Sequence, residues 1–249
     1  MLKMLKYRND IEYIIMAKRK MTLEEKRDLA RNEIMQVSLE LFLQKGYDKT
    51  TTRDIITQAG ILNGSLYNRF KNKEEILISI VKNATETVLA ASMDILKKHN
   101  NFLEAAIFPG AIQLYVSTIS PNVANLIYEV HCKRDAVKVF SAISKHWFEE
   151  FLTEYGYKLP EDYDLDMSLA ALIGSVGTMV GCYVDGSTCP CREAIKIHAL
   201  QVASIFNMPA INIDSIIDNI TAVFDTEDLT FMGLSVSEHY KKMREQMTL

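Results

Sequence analysis

Residues 46–77 read GYDKTTTRDIITQAGILNGSLYNRFKNKEEIL, and the spacing within them decides the fold of the N-terminal part. A short helix opens at Thr51, with Asp54 three residues on as its capping-box partner. Ile55, Ile56 and Ala59 give that helix an apolar side, and Gly60 ends it. Another short helix, Asn63 to Phe70, follows at once, with Leu66 and Phe70 one turn apart on its buried face. Asn72 then caps a long helix that opens with Glu74-Glu75, negative charge where the helix dipole favours it. Upstream, from Leu23, the residues Ala30, Ile34, Val37 and Leu41 share one helical face, and Gly46 supplies the stop. The three helices before Asn72, with a tight Gly turn ahead of the third, form a compact helix-turn-helix.

The rest of the chain extends the helical pattern. Hydrophobic residues make up 48% and charged residues 24%, with only five prolines and ten glycines to break helices. No alternating run of β-branched residues between turn residues argues for strands. The expected class is all-α, a three-helix N-terminal domain followed by a larger helical bundle. Residues 1–73 carry 15 Lys and Arg against 9 Asp and Glu, whereas residues 74–249 carry 13 against 23. A basic first third on an acidic body means that only the first third suits a polyanion. Four cysteines in a chain of 249 residues do not make a disulfide scaffold. No apolar stretch is read as long enough to span a membrane, and the longest N-terminal run, Tyr13 to Ala17, is too short for a signal-peptide core. A cytoplasmic protein without a membrane partner is expected.

Residues 1–20 form a mixed basic extension, with Met16 and Met21 as alternative starts. The helix-turn-helix domain occupies residues 21–73, its motif residues 51–70, and the helical body residues 74–249. Within the body, Pro109 and Pro121 are placed at helix starts, where proline is tolerated. One helix is expected from Pro121 to Tyr155, then a solvated acidic loop, then helices Asp166–Val184 and Cys191–Phe206. Two amphipathic pieces end the chain, Ile213–Phe224 and Ser235–Met247, the latter with a Ser235/Glu238 capping box.

The string Gly46-Tyr47, Thr50-Thr51, Arg53-Asp54-Ile55, Ala59-Gly60-Ile61, Gly64-Ser65-Leu66-Tyr67, Phe70 and Asn72 to Leu77 resembles the N-terminal domain of the TetR family of bacterial regulators. The resemblance covers roughly residues 25–77. Independently of it, Asn63, Gly64 and Ser65 are small and polar, so the start of their helix is thin enough for a major groove. Tyr67, Asn68 and Arg69 offer a phenol, an amide and a guanidinium, and a good bidentate match to a base discriminates by ~1–3 kcal/mol. The resemblance implies that Thr52, Arg53, Tyr67 and Lys73 hold the phosphate backbone while Asn63, Gly64, Ser65 and Asn68 face base edges. It also implies a homodimer on near-palindromic double-stranded DNA, and a body that binds a small-molecule effector and forms the dimer, as a repressor would. This chain departs from the family at Leu62, where Ser, Ala or Thr is usual, and at Arg69, where His or Tyr is usual.

Ala170, Gly174, Gly177 and Gly181 form a small-residue stripe on one helix, expected either in the dimer interface or in a tight contact inside one subunit. Tyr115, Tyr128, His131, Trp147, Met179 and Tyr183, with His146 nearby, are the residues expected to line an effector pocket. Cys189-Pro190-Cys191 lacks zinc-site spacing, and ordinary loop and core cysteines are the simpler reading. No phosphate loop, nucleophile elbow or zinc-protease motif is present, so no catalytic residue, metal or cofactor is expected. Two alternatives stand beside the regulator: a helical enzyme or adaptor with a retained DNA-binding-like head, and a thiol- or metal-responsive regulator using Cys189 and Cys191.

Overall fold

The computed structural model describes residues 22–154, 156, 158–159, 161–209, 211–226, 230–232 and 234–236. The basic extension and most of the expected Ser235–Met247 piece lie outside the described residues. The described helices are α1 (Leu23–Lys45), α2 (Thr52–Ala59), α3 (Asn63–Tyr67), α4 (Lys73–His99), α5 (Phe102–Ile119), α6 (Pro121–Cys132), α7 (Arg134–Glu154), α8 (Leu165–Val184), α9 (Cys191–Ile205) and α10 (Ile213–Thr226). The fold is all-α, with one minimal antiparallel pairing of Thr230–Phe231 on Leu234–Ser235 after α10.

Local rules set the ends of the first helices. Thr22 and Glu25 form a capping box for α1, and Thr51 and Asp54 form the expected one for α2. Hydrogen bonds from Thr51 hold the Asp54 carboxyl down at about 2, with Lys45 3.1 Å away adding to the effect. Gly60 takes the left-handed conformation, φ +62°, that closes α2 and turns the chain into α3. Asn72 caps α4 by accepting from the Glu75 amide, and Lys97, Lys98 and His99 sit in its last turn where the dipole favours cations.

The body is built around α5, which packs against α4, α6, α8, α9 and α10 and is buried along nearly its whole length. At one end Phe102 stacks on Phe151 with centroids 4.5 Å apart and meets Phe148 and Phe206 edge-on. Trp147 closes that cluster and donates its indole N–H to the Leu89 carbonyl, 3.1 Å, tying α7 to α4.

Three sequence expectations are corrected here. Pro109 does not start a helix but sits inside α5, whose start is capped by Asn101. The rule that proline belongs in a first turn loses to a segment so apolar that burying the continuous helix outweighs one missing backbone bond. Pro121 does occupy the first turn of α6, under a Ser120 cap. The expected helix from Pro121 to Tyr155 is broken at Lys133, which adopts an extended conformation (φ −99°, ψ 112°) between α6 and α7. Finally, α4, α5 and α8 are each long and apolar enough to cross a membrane by length and composition. Charges are scattered through α4, whereas α5 and α8 carry one acid each, Glu104 and Asp166, near their starts.

Candidate nucleic-acid interface and effector cavity

In the head, Leu66 and Phe70 are almost wholly buried, in the same core as Ile55, Ile76 and Leu77. Fixing that face turns the opposite one outward. Arg53, Asn63, Gly64, Tyr67 and Asn68 are exposed, and Thr52 and Ser65 are half-buried beside them. The Thr52 and Tyr67 hydroxyls lie 3.4 Å apart, so the first turn of α2 and the last turn of α3 form one polar surface. Lys49 and Lys71, exposed at its margins, were not singled out from the sequence.

Leu62 occupies the cap position of α3 and makes no side-chain cap bond, so the cap is lost rather than moved to Asn63. The helix is also shorter than the expected Asn63–Phe70 span. Residues 68–69 form a turn, with the Asn68 amide bonding back to Gly64.

Two residues expected at the DNA surface have other tasks. Arg69 folds back along α3 and donates from Nη1 to the Ser65 carbonyl at 2.7 Å, while its Nε is buried without a partner. Its own carbonyl accepts from Arg31 Nη1, 2.7 Å, and Arg31 also reaches Ser79 Oγ and lies 4.0 Å over the Phe70 ring. Arg31 thus clamps the turn between α3 and α4 from a helix that sequence spacing alone did not connect to it. Lys73 turns under the loop after α1, where Nζ donates to the Tyr47 carbonyl at 2.7 Å and the Thr50 carbonyl at 2.8 Å, with Asp48 O at 3.4 Å. Burial pushes its ammonium pKa down. The same nitrogen lies 4.1 Å over the Tyr47 ring, and Lys133, at the break between α6 and α7, lies 4.7 Å from that ring.

The sequence-predicted pocket residues scatter. His131 borders a cavity beneath α4, with Gln113, Phe140, Phe231 and Met232. Its neighbour, sharing Leu89, Pro109, Gln113 and Phe140, is bordered by Ser144, Phe148 and His198. These cavities leave about 30 and 50 Å³ free, room for a few waters. Of the six expected lining residues only His131 borders them. Tyr115 stacks on Phe224 at 4.7 Å, Trp147 is the structural pin already described, and Tyr128 lies largely on the surface over Gly181. Met179 is half-buried near Ser175. Tyr183 bonds the Cys189 carbonyl at 3.0 Å and lines a separate crevice with Thr118, Cys189 and Cys191. These departures share a cause: helical periodicity gives a residue's face but not which neighbouring helix that face meets.

The small-residue stripe divides. Cβ atoms added at Gly177 and Gly181 would come within 2.7 Å of the His131 ring and 2.8 Å of the Tyr128 ring, so these glycines admit α6 inside one subunit. Ala170 and Gly174 face outward, with open space where a Gly174 Cβ would stand. Gly177→Ala is therefore expected to cost about 1–3 kcal/mol by overpacking. Gly174→Ala, at a site that is open within the subunit, is expected to add up to ~1 kcal/mol to the subunit's own stability. Chemical denaturation of the two variants compares them, and equal effects would contradict the division.

Cys189 and Cys191 are free thiols, and burial pushes the Cys191 pKa up to about 12, away from the reactive thiolate. Among the described residues no group of three or more His, Cys, Asp or Glu side chains is placed to hold a metal.

The comparisons with known proteins agree with this architecture. A family model, "Bacterial regulatory proteins, tetR family", matches residues 34–80. Over this head domain, and over it alone, the chain is similar to the TetR family. The HTH-type transcriptional repressor KstR2 of Mycobacterium tuberculosis is 36% identical over 74 residues, 30% of this chain and 37% of that protein. The chain thus matches little more than a third of the length of this relative. Two solved structures share the fold over the body as well. RolR in complex with resorcinol covers 79% of this chain and 95% of its own, with TM-score 0.55 and 18% identity. The Bacillus subtilis regulator FadR in complex with stearoyl-CoA covers 70% and 96%, with TM-score 0.50 and 17% identity.

Proposed function

We propose that the protein is a sequence-specific DNA-binding transcriptional repressor, active as a homodimer and released from DNA by a small molecule. The observation that carries this reading is the continuous polar surface of exposed Arg53, Asn63, Gly64, Tyr67 and Asn68 with half-buried Thr52 beside them, held out by a buried Leu66–Phe70 face. Arg53 and Tyr67 position the phosphates; Asn63, Gly64, Ser65 and Asn68 read the bases. KstR2 and FadR are named as a transcriptional repressor and a transcriptional regulator, and in this reading the protein is no enzyme and works in the cytoplasm where its DNA is.

The dimer forms through the outer faces of α8 and α9. Met167, Ala170 and Gly174 on α8, with Ile197 and Leu200 on α9, leave apolar surface uncovered that a second copy would bury. Two such helix pairs make a four-helix interface and set two α3 helices against successive turns of the major groove. An effector bound in the body shifts the pair of heads by as much as it prefers one arrangement over the other.

Genomic DNA captured by the purified protein and sequenced tests the reading directly, with a shared near-palindrome as the expected result. Random recovery would reject it. On that operator, Arg53→Ala is expected to lower the slope of log affinity against log salt by about 0.9, the loss of one phosphate contact. Lys73→Met is expected to weaken binding while leaving that slope unchanged, because Lys73 bonds loop carbonyls. A slope reduced by Lys73→Met would return that lysine to the DNA surface.

A further inference from the structure

Pro109 and Gly110 leave the middle of α5 unusually bare. Proline has no N–H for the carbonyl one turn back, and glycine presents no side chain to its neighbours. A Cβ at residue 110 would overlap the His198 ring, so the glycine makes room for an imidazole brought in by α9. His198 is 3% exposed, and neither ring nitrogen has a well-formed hydrogen bond; the Ile107 carbonyl lies near enough to act on the ring. A buried polar atom in this position is costly unless a partner arrives.

Gln113 supplies the other polar wall, between the two cavities. Its Nε2 donates to the Pro109 carbonyl at 3.0 Å, which leaves Oε1 facing His131 Nε2, also at 3.0 Å. An amide oxygen only accepts, so His131 carries its proton on Nε2 and that pair is mutually satisfied. His198, which lines the second cavity beside Ser144, has both ring nitrogens buried without a well-formed bond. Among the described residues no Lys, Arg, Asp or Glu borders either cavity. Burial holds both imidazoles neutral, with pKa values near 4.

We propose that His198 anchors the effector, and that the effector is an uncharged molecule with an apolar body and one hydroxyl, phenol or carbonyl group. This rests on the effector reading above and specifies its chemistry. A neutral imidazole offers one donor and one acceptor, so it matches a hydroxyl as either partner. A buried carboxylate here would find no cation, and a buried ammonium no anion.

The test uses three probes of one body and three charges: hexan-1-ol, hexanoate and hexylammonium. Each is titrated into the full chain with ¹⁵N-labelled histidine while imidazole resonances and Tm are followed. Hexan-1-ol is expected to shift the His198 signals and raise Tm, and both ions to bind at least about tenfold more weakly. His198→Leu is expected to weaken hexan-1-ol about tenfold or more, and His198→Asn, which still donates and accepts, to restore most of the affinity. The proposal is overturned if hexan-1-ol leaves the His198 signals unmoved, if either ion binds more tightly, or if His198→Leu binds as the parent does. The labelled parent protein decides the matter even where a variant folds poorly. Operator release is measured in parallel. Hexan-1-ol seated on His198 without any release upholds the site and rejects the effector reading instead.

Discussion

Leu66→Ala is expected to destabilise the protein by about 2–5 kcal/mol and to abolish specific DNA binding. The reason lies in how little else holds α3. Five residues are far too few to form a helix without tertiary support, and Leu62 offers no side-chain cap. Leu66 is the one buried residue of α3 and is fully enclosed. Its truncation leaves a cavity under the segment that presents Asn63, Gly64 and Asn68. Urea unfolding followed by circular dichroism measures the stability, and a gel-shift titration measures operator affinity. A loss below ~1 kcal/mol, well under the usual cost of such a truncation, would show that α3 is supported elsewhere. The neighbouring Leu62→Ser should act oppositely, gaining about 1 kcal/mol by supplying the missing cap.

Acidification from pH 6.5 to pH 4 is expected to remove several kcal/mol of stability, on the order of 3 for each of His131 and His198. Burial lowers both pKa values from 6.5 to about 4. Above pH 6.5 each ring is neutral in folded and unfolded chains alike, and stability is unaffected. Between pH 6.5 and 4 the unfolded chain takes up protons that the folded one refuses, so stability falls with pH. Below 4 both states are protonated and the loss is complete. Asp54 acts in a separate window, its contribution lost only as pH falls from 3.8 towards 2. Denaturation midpoints at pH 7, 5.5 and 4 should therefore decline, and His198→Leu should flatten about half of the decline. A midpoint constant over this range would mean that water reaches both rings.

The features legible in the sequence are those decided within a few residues. Thr51 with Asp54, Gly60, Asn72, and the Leu66–Phe70 pair all act across three or four positions, where helix geometry fixes who meets whom. The helical class of the body was legible for the same reason. What escaped depends on contacts between distant segments. Lys73 looked like a surface cation because nothing local shows that the loop at 47–50 presents three carbonyls to it. Gly177 and Gly181 shared a stripe with Gly174, yet α6 covers only their end of it. His198 and Gln113, on α9 and α5, became neighbours of one cavity only through packing that no spacing rule encodes.

Tyr47 belongs to the head, Lys73 opens the helix that joins head to body, and Lys133 sits two residues beyond His131 at the end of α6. The Tyr47 ring is thus one pin between head and body, alongside the contacts that α1 makes with α4 and α6. His131 and Lys133 share a helix end, so a displacement of that end is expected to bear on the ring and on Lys73, whose carbonyl partners border the Thr51 cap of α2.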